Sequence, residues 1–396
     1  MPNLHSKQSP TTGLYLVGLL VLATFVSGCG PLSDADNRPC TVEGAEQLGR
    51  YDLSGGGTLD GCYHATEPLD IGGRVDIEPG TTIYVASGAR LWVQGVVFNA
   101  VGTEEEPITI TGEEQVPGYW SRLRFDNTGK TDTVLEHVIL EYGGGGGDKT
   151  TLKIEGESRP TIRHTTIRHS EGLAFSIGSS KSEIQAFENN TITNNGRAGA
   201  IHNSTADVLD PSNEFKDNDK NKIEVFTRGV YNDVTFHDIG IPYEIGTQLE
   251  FRGNHVTLEP GVEWHMAADT RIWVQSDSKF TAVGTESKPI VIRGKEQTAG
   301  YWKSLYFDAS KSTENRLEHF VLEDAGSGDG NHAIGLLSDI NHGDSSATVK
   351  NGTIRNIDGR GIWVDESARG TSTIECGGVT FEDVSEEHTV PADICQ

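Results

Sequence analysis

The sequence predicts an all-β solenoid, a parallel β-helix built from two tandem homologous halves, on three observations. First, a long stretch is written twice. Ile77-Glu78-Pro79-Gly80 returns as Leu258-Glu259-Pro260-Gly261, Arg90-Leu91-Trp92-Val93-Gln94 as Arg271-Ile272-Trp273-Val274-Gln275, and Leu135-Glu136-His137 as Leu317-Glu318-His319, at a steady offset of 181 to 182 residues. Second, each half carries a finer rhythm of an apolar residue, four others and another apolar residue: Leu135/Leu140, Ile162/Ile167 and Phe187/Ile192, then Leu317/Leu322, Val349/Ile354 and Ile374/Val379. The starts are 27, 25, 32 and 25 residues apart within the halves, and a turn of roughly 22 to 30 residues made of short strands is what stacked coils need. Third, 48 glycines with only 7% aromatics separate short apolar runs by polar turns, a strand-and-turn composition. The intervening segments are too short for helical crossovers, which excludes a doubly wound α/β fold.

The chain opens on a leader, residues 1–28. Leu14 to Val26 is apolar, follows Lys7, and is short for a bilayer span, so it reads as an export signal. The phrase after it, Val26-Ser27-Gly28-Cys29, resembles the lipobox of bacterial lipoproteins. The resemblance implies cleavage before Cys29 and a thiol carrying diacylglycerol, with palmitate-type acylation of the mature terminus. Gly30, where an Asp would resemble an inner-membrane retention signal, favours the outer membrane or cell surface of a bacterium. Residues 29–62 then form lipid anchor, short tether and cap. With Cys29 set aside, four cysteines remain, Cys40 with Cys62 and Cys376 with Cys395. In an exported chain these are expected to close two local disulfide loops that staple the solenoid ends, although sequence alone leaves crossed pairings open.

The halves follow, 63–230 and 231–396, the second ending in the C-terminal disulfide cap. Pro79-Gly80 and Pro260-Gly261 are turns between strands, and Gly102-Thr103 and Gly284-Thr285 open turns closed by Pro107 and Pro289. These phrases, with Ala86-Ser87-Gly88-Ala89, Gly118-Tyr119-Trp120 and their counterparts, resemble the right-handed parallel β-helix repeat proteins of bacterial surfaces within the pectate-lyase-like superfamily. The resemblance covers most of Tyr63 to Asp383. It implies a right-handed, single-stranded β-helix, and it carries no catalytic assignment, because scaffold phrases recur among different activities.

Registering the coils on the apolar pairs sorts the chemistry into columns. The residue after the first apolar position reads Glu136, Arg163, Glu188 and then Glu318, Lys350, Glu375; the residue after the second reads Glu141, Arg168, Thr193 and then Glu323, Arg355, Thr380. Alternating charges one coil apart are surface ladders worth at most about 1 kcal/mol per pair. The column His137, His164, Asn189 and then His319, Asn351, Cys376 is a stacked turn rather than a metal site, since the second half does not keep the histidine pair. Gly143 to Asp148 fits a Gly-Gly-x-Gly-x-Asp calcium phrase once, without the tandem copies that make the motif work. No metal and no cofactor is expected. Trp92 and Trp273 lie between inward apolar neighbours and are expected to point outward, either packing under a loop or offering a face to a sugar ring.

Removing Lys7 with the leader leaves 31 of the 32 basic residues against 58 acidic, a formal net charge of 31 − 58 = −27. That argues against nucleic acid and anionic lipid as surface partners. The expected function is a non-enzymatic cell-surface lipoprotein with a structural or adhesive role, held to the membrane by its lipid, with glycans or other surface proteins as partners. The alternative is a polysaccharide-active lyase or glycosidase, or a glycan-binding module, whose acids and base would assemble from successive coils. Individual function is to be sought where the halves differ, at 143–148 and 331–345.

Overall fold

The computed structural model describes residues 40–396 apart from 130–131, 329–330, 339–342, 366–371, 393 and 396. The expected leader, the Cys29 anchor and the tether up to Pro39 lie outside the described residues, as does part of the 331–345 insertion. From Cys40 onward the chain is all-β and winds as a parallel β-helix. One sheet of 13 parallel strands runs from Leu69–Ile71 to Thr380–Val384, so thirteen coils stack across about 58 Å at the usual strand spacing. Both halves share this sheet without a break: Lys220–Val225 pairs with Arg197–Ile201 on one side and with Tyr243–Ile245 on the other.

The short strands form because apolar residues alternate with polar ones and each inward residue finds its like one coil away. Leu91, Leu123, Leu152 and Phe175 stand in one register, all at most 1% exposed. Leu140, Ile167 and Ile192 form a second column, and Leu135, Ile162 and Phe187 a third. Each such side chain contributes roughly 1.5 to 3 kcal/mol by burial. The duplicated Gly-Tyr-Trp phrase is a corner plug: Trp120 and Trp302 are fully buried, and their indole N–H groups donate to the carbonyls of Glu141 and Glu323, each at 2.8 Å. Gly102 and Gly284 are fixed by close approach, since a Cβ there would lie 2.8 Å from the His137 carbonyl and 2.5 Å from that of His319.

In three successive coils of the first half, two sharp turns use left-handed backbone. His137, His164 and Asn189 occupy one such column at φ near 50°, and Tyr142, His169 and Asn194 the next at 55 to 60°. Beside each runs a buried asparagine ladder. The Asn190 side chain accepts from the Thr165 amide and donates to the Ile162 carbonyl, both at 3.0 Å. Asn195 accepts from the Ser170 amide at 3.0 Å and donates to the Ile167 carbonyl, while its own amide is received by Asn218. These side chains replace the ladder bonds that the turning backbone cannot make. Disulfides join Cys40 to Cys62 and Cys376 to Cys395, across separations of 22 and 19 residues. By loop-closure entropy each contributes roughly 3 kcal/mol.

Two departures from expectation concern register. Ile374 does not continue the Val349 column: Val349 pairs with Cys376, Arg355 with Glu382 and Thr353 with Thr380. The last coil is therefore shifted by two residues, a slip that keeps every side chain on its face. It turns Cys376 inward toward Cys395 and gives the turn position to Gly378 at φ 65°. The larger departure is the phase of the copies. In the first half, Phe98–Val101, Ile108–Gly112 and Leu123–Asp126 lie on the 6-, 8- and 13-stranded sheets in turn; their counterparts Lys279–Val283, Ile290–Gly294 and Leu305–Asp308 lie on a second 6-stranded sheet, the 13-stranded sheet and a 7-stranded sheet. The second copy is thus advanced by one face, because the duplicated length is not a whole number of coils.

Replacing Asn195 by Ala should orphan buried backbone groups in two coils and lower stability by about 1 to 3 kcal/mol in urea unfolding. A change within about 0.5 kcal/mol, the range of neutral surface substitutions, would show that the ladder is not structural.

Candidate functional surfaces

Three outward surfaces collect the chemistry-bearing residues. The first is the charged row of the 13-stranded sheet. Asp70, Trp92, Arg124 and Lys153 follow one another in register, then Ser176 and Ala200, then Glu224, Glu244, His265 and Arg293. Alternation along each strand forces these residues outward, and stacking brings each within reach of the next coil.

Nearly every charge in this row is already partnered. Arg124 contacts Glu155 at 2.7 Å and Asp126 at 3.0 Å. Lys153 holds Asp148 at 2.7 Å, and Arg122 holds the same carboxylate. Burial pushes the Asp148 carboxyl up, yet Lys153 and Arg122 together outweigh it and keep it below the usual carboxylate range. The acid of the calcium-like phrase is therefore neutralised by protein cations. Further along, Arg197 meets Glu224 at 3.0 Å, Lys222 meets Glu244, and Lys295 joins Glu244 at 3.1 Å. Burial, with Lys295 and Lys220 close by, holds the Lys222 ammonium below its ordinary value. Glu263 closes the row, 2.6 Å from the His265 ring and 2.9 Å from Arg293. Its hydrogen bond to His265, reinforced by Arg293 against burial, depresses its carboxyl.

The second surface is the turn column. The His137 and His164 rings stack 4.9 Å apart at 8°, and Tyr142 stacks on His169 at 5.0 Å and 11°. Stacked faces leave the imidazoles parallel, not convergent on a point as ligation requires. Among the described residues no group of three or more His, Cys, Asp or Glu is placed to hold a metal ion. In the second half the same turns carry His319 and Asn351, then Asp324 and Asn356, the last two joined at 2.6 Å. Burial, aided by the neighbouring Glu323 charge, raises the Asp324 carboxyl in spite of that bond.

The third surface is an aromatic row on the 7-stranded sheet. Trp273, Tyr306, Gly335 and Trp363 are in register, and the His332 ring fills the space above Gly335. His332 stacks on Tyr306 at 5.5 Å and on Trp363 at 5.4 Å. The first-half counterpart of this row is the basic Trp92, Arg124, Lys153 sequence, so the two copies differ here, one cationic and one aromatic. Sequence reasoning singled out only Trp273 in this row, and Trp92 in its first-half counterpart. The second position of Leu305-Tyr306-Phe307 and of Ile362-Trp363-Val364 was the available signal for the rest.

Both tryptophans are half-buried and outward, and neighbours in the ladder cover them. The guanidinium groups of Arg90 and Arg124 lie over the Trp92 ring at 5.4 and 5.1 Å, and the Trp273 indole donates to Asp308 at 3.1 Å. The expected charge columns are found at Arg163 with Glu188, at Arg168 with Glu141 and at Arg355 with Glu323. Lys350 still reaches Glu375, diagonally across the shifted last coil.

The depressed Glu263 carboxyl makes a signed prediction. A folded-state value below the unfolded one stabilises the fold at pH above the ordinary carboxylate value of about 4.3, and this contribution is lost as pH falls through the lower folded value. Glu263→Gln should thus lower the thermal midpoint at neutral pH and flatten its decline in acid; a parallel decline in both proteins would count against the assignment. Compared with known proteins, the chain matches no protein-family model and no curated protein sequence.

Proposed function

We propose that the chain is a non-enzymatic bacterial surface lipoprotein, exported, lipid-anchored through Cys29 at the outer membrane or cell surface, whose β-helix serves as a structural or adhesive scaffold for glycans or other surface proteins. The observation that carries this reading is the consumption of outward charge by cross-coil ion pairs. A lyase needs acids free to take calcium and a base free to take a proton, whereas Glu224, Glu244, Glu263 and Asp148 each hold a protein cation. The lysine with the depressed pKa, Lys222, sits against Glu244. Ladders of this kind fasten coils laterally and leave the sides as broad binding faces. The lipobox phrase Val26 to Cys29 supports the anchor, and the acidic balance suits an extracellular face.

A polysaccharide-cleavage screen of the protein, with and without calcium, tests the reading: no product is expected, and reproducible cleavage would overturn it. Mass spectrometry of the membrane fraction should find Cys29 as the acylated first residue; an unmodified Cys29 would remove the anchor.

A further inference from the structure

The two copies differ most usefully at one corner. In the first copy, the turn joining the 6-stranded to the 8-stranded sheet is filled: the His164 ring stacks on His137, and the side chains of Thr165 and Asn190 occupy the ladder beside them, both at most 1% exposed. In the second copy the equivalent turn carries His319, then Asn351, then Gly378, all with left-handed backbone. Asn351 supplies no ring to stack on His319. The next position is Gly352, and a Cβ there would lie 2.2 Å from the ring of Phe320, which fills that space from the coil before. Side-chain volume is thus reduced in the two coils that follow His319, at Asn351-Gly352 and at Gly378. An open groove of about 430 Å³ remains, walled on its far side by the loop that carries Glu286.

The groove is polar, and its polar groups are idle. Among the described residues, no hydrogen bond or ion pair involves the side chains of Glu286, His319, Asn351, Thr353 or Thr380, so all five are free to meet a ligand. These groups form a rim around a floor of Gly352 backbone and buried Phe320. The volume is within the range of small-molecule sites.

The rim chemistry selects the ligand class. A carboxylate accepts, an amide both donates and accepts, and threonine hydroxyls do either, so the ligand must donate and accept around its whole edge. A phosphate would only accept and would face Glu286. A divalent cation would find a single carboxylate, too few for a hard-ion site. A neutral ring bearing hydroxyl groups satisfies the rim and can lay its C–H face on the floor. We infer that this corner is a binding subsite for a neutral saccharide ring, which rests on the scaffold reading above and specifies what one of its faces holds.

The first copy supplies the test variant. Asn351→His recreates the ring pair of His137 and His164 at a backbone angle that histidine already adopts there, and so should close the groove without disturbing the coil. The measurement is saturation-transfer NMR on the full-length protein in detergent, with the methyl glycosides of glucose, galactose and mannose, followed by titration. At least one glycoside is expected to bind, with at least tenfold weakening in Asn351→His and in Glu286→Gln. Glu104→Gln, the first-copy counterpart of the second variant, should bind as wild type does, and circular dichroism should show all variants folded. Absence of transfer to all three glycosides, or binding unchanged in both groove variants, would overturn the subsite. The scaffold reading falls only to cleavage, so the two failures are distinguishable.

Discussion

Parallel, in-register pairing between successive coils governs everything else in this molecule, because each backbone N–H and C=O along a strand must find its partner in the coil before or after. Once that ladder is laid down, a residue has little freedom in choosing neighbours: like positions stack on like. Apolar columns become the core, alternating charges become ion-pair rows, and rings at one position become a row of stacked rings. The corners, where backbone turns away from the ladder, are satisfied by Asn190, Asn195, Asn213 and Asn218, whose amides carry the bonding around the bend. Left-handed residues at these corners cost roughly 1 to 2 kcal/mol each for side chains other than glycine, and cross-coil bonding on both sides offsets that strain.

Much of this was legible in the sequence because the coil rhythm is carried by buried residues. The pairs Leu135/Leu140, Ile162/Ile167 and Phe187/Ile192 predicted strands, spacing and register correctly, and the local cysteine pairs predicted both disulfides. The rule failed at Ile374, where apolar spacing alone cannot distinguish a two-residue slip, since Ile374 and Cys376 share a face. The asparagine ladders were visible in principle, as Asn190 and Asn195 recur at Asn213 and Asn218. They were overshadowed by His137 and His164 in the neighbouring turn column, whose rings attract a functional reading that their parallel stacking does not support.

The candidate surfaces were harder to foresee for a physical reason. A column is read by stepping across coils, and loops of unequal length hide that step from a linear scan. Trp363 joins Trp273 and Tyr306 only once Gly335 and His332 are placed between it and Tyr306. Likewise the second-copy corner opens because Asn351 and Gly352 lack what His164 and Thr165 supply, a contrast of side-chain volume that appears only when the turns are superposed.

The one-face phase difference between the copies limits what duplication can do for recognition. Homologous strips on the two halves look in different directions, so a flat partner that meets one strip cannot meet the other at the same time. A second binding event gains from a first only when one rigid geometry permits both. Doubling the sequence therefore adds no avidity toward a planar array; it gives one rod two separately aimed sides, free to diverge, as the cationic and aromatic rows have done.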